Sequence, residues 1–191
     1  MDGKRGGAWR APPRRLYCAC VRTIWLVGMM GAGKSAVGAL LAKRLGRGFV
    51  DTDAMIERTA GISIAELFTR EGEAAFRKRE REAIENVVGG ALVVALGGGA
   101  IAQSGVRERI AESGIIVYLR ARPETLLRRV GDAVDRPLLK GLSREERPRR
   151  IAELLAERRP SYERAPIVVD TDALAPGEVV DAILARLGSF V

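Results

Sequence analysis

Gly28-Met29-Met30-Gly31-Ala32-Gly33-Lys34-Ser35 stands between two stretches of different periodicity. Before it, Thr23–Val27 is an apolar run of strand length. After it, Lys34–Leu45 carries Val37, Leu40, Leu41 and Leu45 at helical spacing. Gly28-x-x-x-x-Gly33-Lys34-Ser35 between a strand and a helix is the spelling of a phosphate-binding loop. The glycines permit backbone angles that turn successive N–H groups inward, and the helix beginning at Lys34 aims its positive dipole end at the same point. Lys34 reaches phosphate oxygens, and the Ser35 hydroxyl suits Mg²⁺. A glycine turn with a surface lysine is the plainer alternative, and four fixed positions in the right context argue against it.

Working outward, strand and helix signals alternate along the chain, which implies an α/β fold with a parallel sheet. Strands are expected at Thr23–Val27, Gly48–Asp51, Ala91–Leu96, Ile115–Leu119 and Ile167–Asp170. Helices are expected at Lys34–Leu45, Asp53–Thr59, Ser63–Arg70, Glu73–Val88, Val106–Ser113, Arg122–Val130, Ser143–Tyr162 (kinked or ended near Pro160) and Pro176–Leu187. Gly131–Leu142 reads as a charged loop containing Pro137. No internal repeat or linker divides the body, so residues 21–191 are expected to form one domain.

The chain has 191 residues, 47% hydrophobic and 29% charged, which suits one soluble domain. No apolar run approaches the roughly 18 residues of a membrane span. The net charge is +8. Residues 1–22 hold six of the basic side chains and one acid, leaving a small excess on the body that suits anionic small molecules. Acids interleave the remaining basic residues, and no aromatic-rich basic stripe points to nucleic acid. Residues 1–20 read as a disordered basic tail without the apolar core of a secretory signal. Cys18 and Cys20, in a chain without histidine, cannot complete a four-ligand zinc site and read as reduced thiols in a cytoplasmic protein.

Asp51-Thr52-Asp53 closes the second expected strand, at the carboxyl edge where ligands sit in such sheets. On an extended backbone the two carboxylates would point the same way, about 6.5 Å apart. One could serve a metal and the other take the proton of an acceptor hydroxyl, although Asp53 would serve equally as a helix N-cap. Arg77 and Glu80 share a helix face, as do many surface ion pairs. Gly97-Gly98-Gly99 follows a strand and can expose backbone donors to a ligand or simply turn. Arg136-Pro137-Leu138-Leu139 lies in the charged loop, where an arginine can close over phosphates. Spacing alone does not single out Arg158.

These motifs in this order resemble shikimate kinase from about Thr23 to Leu187. The resemblance implies a P-loop NTPase fold of the nucleoside-monophosphate-kinase-like type, a three-layer α/β sandwich around a five-stranded parallel sheet with a lid near residues 131–142. It implies transfer of the ATP γ-phosphate to the 3-hydroxyl of shikimate, in aromatic amino-acid biosynthesis, by a cytoplasmic monomer without nucleic-acid or membrane partners. By the same resemblance, Gly31, Ala32, Gly33, Lys34, Ser35 and Ala36 bind the nucleotide, Arg129 packs on adenine, and Arg136 is the lid arginine. Ser35 and Asp51 serve Mg²⁺. Asp53 binds acceptor hydroxyls and is the general-base candidate, with Lys34 and Arg136 beside it in catalysis. Arg77 and Arg158 grip the carboxylate with Gly98 and Gly99, Glu80 orients Arg77, and Phe68 and Phe76 form the apolar wall. Before Pro176, Ala173-Leu174-Ala175 stands where some members have polar or basic residues. A gluconate kinase, or a nucleotide-binding regulator without activity, remains as an alternative; the aspartates, arginines and triple glycine weigh against both.

Overall fold

The structure is a computed structural model that describes residues 23–131, 137–139 and 141–188. The expected tail at 1–20, Cys18, Cys20 and Arg136 lie outside the described residues. Five strands, β1 (Thr23–Val27), β2 (Gly48–Asp51), β3 (Leu92–Ala95), β4 (Gly114–Arg120) and β5 (Ile167–Asp170), form one sheet in the order β2-β3-β1-β4-β5. Every pairing is parallel, with Ile24 opposite Val93 on one side and Ile115 on the other. β1 is buried along its whole length, as a central parallel strand covered on both faces should be. Its side chains alternate: Ile24 and Leu26 enter one apolar layer, Trp25 and Val27 the other.

The helices are α1 (Lys34–Leu45), α2 (Thr52–Ala60), α3 (Ile64–Glu85), α4 (Val106–Ser113), α5 (Pro123–Val130), α6 (Glu146–Tyr162) and α7 (Pro176–Leu187). Val37 and Leu41 of α1, Leu126 of α5 and Val179, Val180 and Ile183 of α7 pack the first layer. Ile84 of α3, Ile110 of α4 and Tyr162 of α6 pack the second. A smaller cluster of Ile56, Leu67 and Phe76 joins α2 to α3. This is the expected three-layer α/β sandwich. Among the described residues no helix is long and apolar enough to cross a membrane.

Two local expectations change, and the break at Gly72 is kept. The helix after β2 begins at Thr52, so Asp51 and Asp53 do not lie on one extended strand. The N-cap is Asp51, whose carboxylate accepts from the N–H groups of Asp53 and Ala54, and Asp53 occupies the first turn. The two helices expected on either side of Gly72 are present as the two halves of α3, which kinks at that residue. Gly72, at φ 79° and ψ 173°, is the break between them, a conformation that glycine adopts without strain. Finally, α6 starts at Glu146 and continues two residues past Pro160. Proline so near the helix end removes only a late hydrogen bond.

Candidate functional site

The loop after β1 supplies one side of a cleft of about 700 Å³. Gly28 has φ 144°, and a Cβ there would stand 2.6 Å from the carbonyl oxygen of Leu119 at the end of β4. Glycine is therefore needed both for the backbone angle and for the approach to the neighbouring strand. Gly33 caps α1 in the left-handed conformation, so the helix N-terminus opens onto the loop. Lys34 Nζ donates to the carbonyls of Gly28, at 2.8 Å, and Met29, at 3.1 Å. The ammonium is thereby held against the loop that it closes. Met30, Gly31, Gly33, Lys34, Ser35 and Ala36 all line the cleft, while Ala32 is buried beneath it.

The edge of β2 meets this loop. Ser35 Oγ donates to Asp51 Oδ2 at 2.5 Å, while Asp51 Oδ1 caps α2. Among the described residues no group of three or more His, Cys, Asp and Glu side chains could hold a metal by itself. A single carboxylate touching a hydroxyl beside a phosphate cradle is a donor set suited to Mg²⁺, which usually takes its remaining ligands from water and phosphate oxygens. The residues present therefore fit that ion.

The opposite wall is built from side chains. Asp53, Phe68, Phe76, Arg77, Glu80, Gly98, Gly99 and Arg158 all line the same cleft. Phe68 and Phe76 lie 4.8 Å apart between ring centroids, and the Arg77 guanidinium sits 5.6 Å from the Phe76 ring centre. Arg77 Nη1 donates to Glu80 Oε2 at 2.6 Å, and its Nη2 to Glu73 Oε1 at 2.8 Å, so two carboxylates fix the fork. Glu80 is 1% exposed. It also accepts from Gln103 Nε2 at 2.9 Å, and Gln103 in turn accepts from Arg81. Burial pushes the Glu80 carboxyl above the ordinary range. The Arg77 and Arg158 charges pull it back, and the Asp53 charge adds to the rise.

The triple glycine joins these walls. A Cβ on Gly97 would stand 2.5 Å from both Asp53 Oδ1 and Glu80 Oε1. Those oxygens are thus at most twice that distance apart, and only hydrogen fits between them and the turn. A Cβ on Gly99 would stand 2.6 Å from Arg77 Nη1. At Gly98 the same point lies 3.5 Å from the N–H nitrogen of Met30 and 3.6 Å from Arg158 Nη1, so Gly98 sits between the phosphate loop and α6. The N–H of Gly97 donates to Thr52 Oγ1 at 3.0 Å, and the buried Thr52 hydroxyl donates to the Ala95 carbonyl.

Arg129 reaches the far end of the cleft, where its Nη1 donates to Thr171 Oγ1 at 2.9 Å. Arg136, expected as the lid arginine, lies outside the described residues. Every other expected site residue borders the cleft except the buried Ala32. Sequence reasoning passed over Thr52, Gly97 and Tyr162. Thr52 and Gly97 lay inside motifs that were recognised for their neighbours, and Tyr162 was marked only by standing four residues after Arg158.

Known proteins resemble this chain over most of its length. A family model described as shikimate kinase matches residues 30–188. The shikimate kinase of Chlorobium chlorochromatii is 45% identical over 174 residues, covering 88% of this chain and 92% of that protein. The structure of a shikimate kinase from Acinetobacter baumannii in complex with shikimate superposes with a TM-score of 0.87 at 38% identity, covering 93% of this chain and 98% of that one. A shikimate kinase from Bacteroides thetaiotaomicron superposes with a TM-score of 0.80 at 33% identity, covering 90% and 98% respectively. With the phosphate loop, the aspartate pair and the two arginines in one cleft, and the family's match over most of the chain, this protein belongs to the shikimate kinase family.

Proposed function

We propose that this chain transfers the γ-phosphoryl group of ATP to the 3-hydroxyl of shikimate, forming shikimate 3-phosphate and ADP on the route to chorismate and the aromatic amino acids. The observation that carries the reading is a single cleft bordered by the Gly28–Ser35 loop on one side and by Asp53, Arg77 and Arg158 on the other. Shikimate is a small anionic polyol, and arginine forks beside a carboxylate and backbone donors suit its two ends.

In this reading the loop N–H groups and the start of α1 hold the ATP phosphates, and Lys34 leaves its carbonyl partners to neutralise them. Ser35 and Asp51 would hold Mg²⁺, which would supply neutralisation of the phosphate charge. Arg77 and Arg158 take the shikimate carboxylate, with N–H donors of Gly98 and Gly99 beside them. Glu80 and Glu73 keep the Arg77 fork aimed. Phe68 and Phe76 exclude water from that end. Asp53 accepts the proton of the acceptor hydroxyl as its oxygen bonds to the γ-phosphorus, and the bridging P–O bond breaks toward ADP. Arg129 borders the adenine end. Arg136 enters the proposal from its sequence motif alone, as a cation for the transferring phosphoryl group. The protein works as a cytoplasmic monomer, with neither nucleic acid nor membrane as partner.

A coupled ADP-release assay tests this. Shikimate should stimulate ADP production in the presence of Mg²⁺, and gluconate should not. No stimulation by shikimate would overturn the assignment.

A further inference from the structure

Tyr162 ends α6 with no accessible surface, and its ring stacks on Tyr118 of β4 with centroids 5.0 Å apart. A buried tyrosine at the sheet–helix boundary would ordinarily need any nearby acceptor for its hydroxyl. Here the acceptor is the carbonyl of Gly98, in the middle of the triple glycine. Tyr162 lies one helical turn beyond Arg158, so both side chains leave the same face of α6. Arg158 is near enough to lower the phenol's pKa against the rise that burial causes. The phenol thus remains a neutral donor across the working pH range.

The peptide that Tyr162 holds has a consequence on its other side. In a trans peptide the C=O and the following N–H point in opposite directions. With the Gly98 carbonyl turned toward the Tyr162 hydroxyl, the Gly99 N–H is turned away from α6. The rest of the turn is occupied. The Gly97 N–H donates to Thr52, and the carbonyls of Gly97 and Gly99 accept from the N–H groups of Ala100 and Ala102. Among the described residues, the N–H groups of Gly98 and Gly99 have no protein acceptor. Gly98 also stands between both halves of the cleft: a Cβ there would lie 3.5 Å from the backbone nitrogen of Met30 and 3.6 Å from both the Gly28 carbonyl oxygen and Arg158 Nη1.

From this geometry we infer that Tyr162 is a positioning residue for phosphoryl transfer. Its hydroxyl fixes the plane of the Gly98–Gly99 peptide and the place of Arg158, and so sets the acceptor carboxylate at a defined distance from the phosphate loop. The inference rests on the proposed shikimate reading. It adds a hydroxyl that touches neither substrate and acts only through a peptide and a guanidinium. Without it the turn keeps its Thr52 anchor but can rotate at the next peptide, so the acceptor binds less tightly and meets the phosphate in fewer productive poses.

Tyr162→Phe keeps the ring stack and deletes one oxygen. The expected result is a loss of about tenfold in kcat/KM for shikimate, the scale of one buried hydrogen bond, made of both a lower kcat and a higher shikimate KM. The ATP dissociation constant, read by calorimetry, should stay at its wild-type value. Ser113→Ala serves as the structural control. It removes two buried bonds of the same layer, from Trp25 Nε1 to Ser113 Oγ at 3.1 Å and from Ser113 Oγ to the Ile110 carbonyl at 3.0 Å, among residues that do not line the cleft. It should lower Tm without moving either kinetic constant. If Tyr162→Phe lowers Tm as Ser113→Ala does and leaves shikimate KM and kcat unchanged, the inference is overturned and Tyr162 is only a packing residue. An equal weakening of ATP and shikimate would overturn it too, since that means general loosening of the cleft. Wild-type protein assayed alongside separates the two levels: absence of shikimate turnover there defeats the substrate reading itself.

Discussion

The two sides of the cleft recognise their ligands by different means. The phosphate side is a contiguous loop whose donors are backbone N–H groups, and what its sequence must supply is permission for the backbone: glycine at Gly28 and Gly33, and a helix start at Lys34. The acceptor side is an assembly of side chains from α2, α3, α6 and the turn after β3, and its Arg158 meets Met29 of the phosphate loop across 129 residues of sequence. A backbone site tolerates most side-chain changes and fails where a Cβ intrudes. A side-chain site fails atom by atom. The proposed roles predict that single-residue changes should separate ATP binding from acceptor chemistry.

The largest separation should come from Asp53→Asn. The change is nearly isosteric and leaves the phosphate loop untouched, but amide nitrogen and oxygen are poor proton acceptors. Turnover should fall by about 10² to 10⁴, the usual worth of a general base, while the ATP dissociation constant stays near wild type. Steady-state kinetics beside calorimetry decides this, and near-normal turnover would remove Asp53 from the base role.

Next come paired glycine substitutions, one on each side. Gly97→Ala puts a methyl carbon 2.5 Å from both the Asp53 and Glu80 carboxylates. One of them must move, and a shift of that order costs about a hundredfold in kcat/KM for shikimate. ATP affinity should be retained. Gly28→Ala instead drives a methyl carbon to 2.6 Å from the Leu119 carbonyl at a φ of 144°. It should destabilise the fold by about 1–3 kcal/mol and weaken ATP binding. If both variants lost both ligands equally, the cleft would be one cooperative unit rather than two halves.

The same contrast governs what the amino-acid sequence discloses. The phosphate loop is legible because eight consecutive residues, flanked by a strand and a helix, carry the whole device. The strand and helix alternation is legible for a similar reason, since burial on both faces leaves short continuous apolar runs such as Thr23–Val27. The Asp51–Asp53 pair was legible as a pair, but its geometry was not. Asp51 caps the following helix, a competition between strand end and helix start that residue identities left open. Arg77 and Glu80 were visible as helix neighbours. That Glu80 is buried and shared with Gln103 depends on packing between α3 and the turn before α4. Tyr162 carried no local signal because its partner, Gly98, is 64 residues away.

The smallest effects should come from comparing two ion pairs, the buried Arg77–Glu80 and the exposed Arg120–Asp170. Burial first, with Asp53 adding, raises the Glu80 pKa above its unfolded value. The folded protein therefore takes up this proton before the unfolded chain does as pH falls. The charged form of Glu80 costs stability as pH rises through the folded pKa, yet it is the charged form that aims Arg77. Shikimate KM in the wild type should therefore climb as pH falls through that raised pKa. Glu80→Gln should show a KM about tenfold higher at neutral pH, from the lost charge assistance, and no such climb. Asp170 is the reverse case. The hydrogen bond from Arg120 is the main cause lowering its pKa, so its stabilisation is present above the unfolded pKa and is lost as pH falls through the folded one. The Asp170 side chain is 62% exposed, so solvent screens the pair. Asp170→Asn should change stability by less than about 1 kcal/mol, flatten only the acid end of the Tm profile, and leave both substrate constants alone. A shikimate KM profile in Glu80→Gln that still follows the wild type would show that Arg77 is aimed by Glu73 alone, and that the buried carboxylate serves packing rather than recognition.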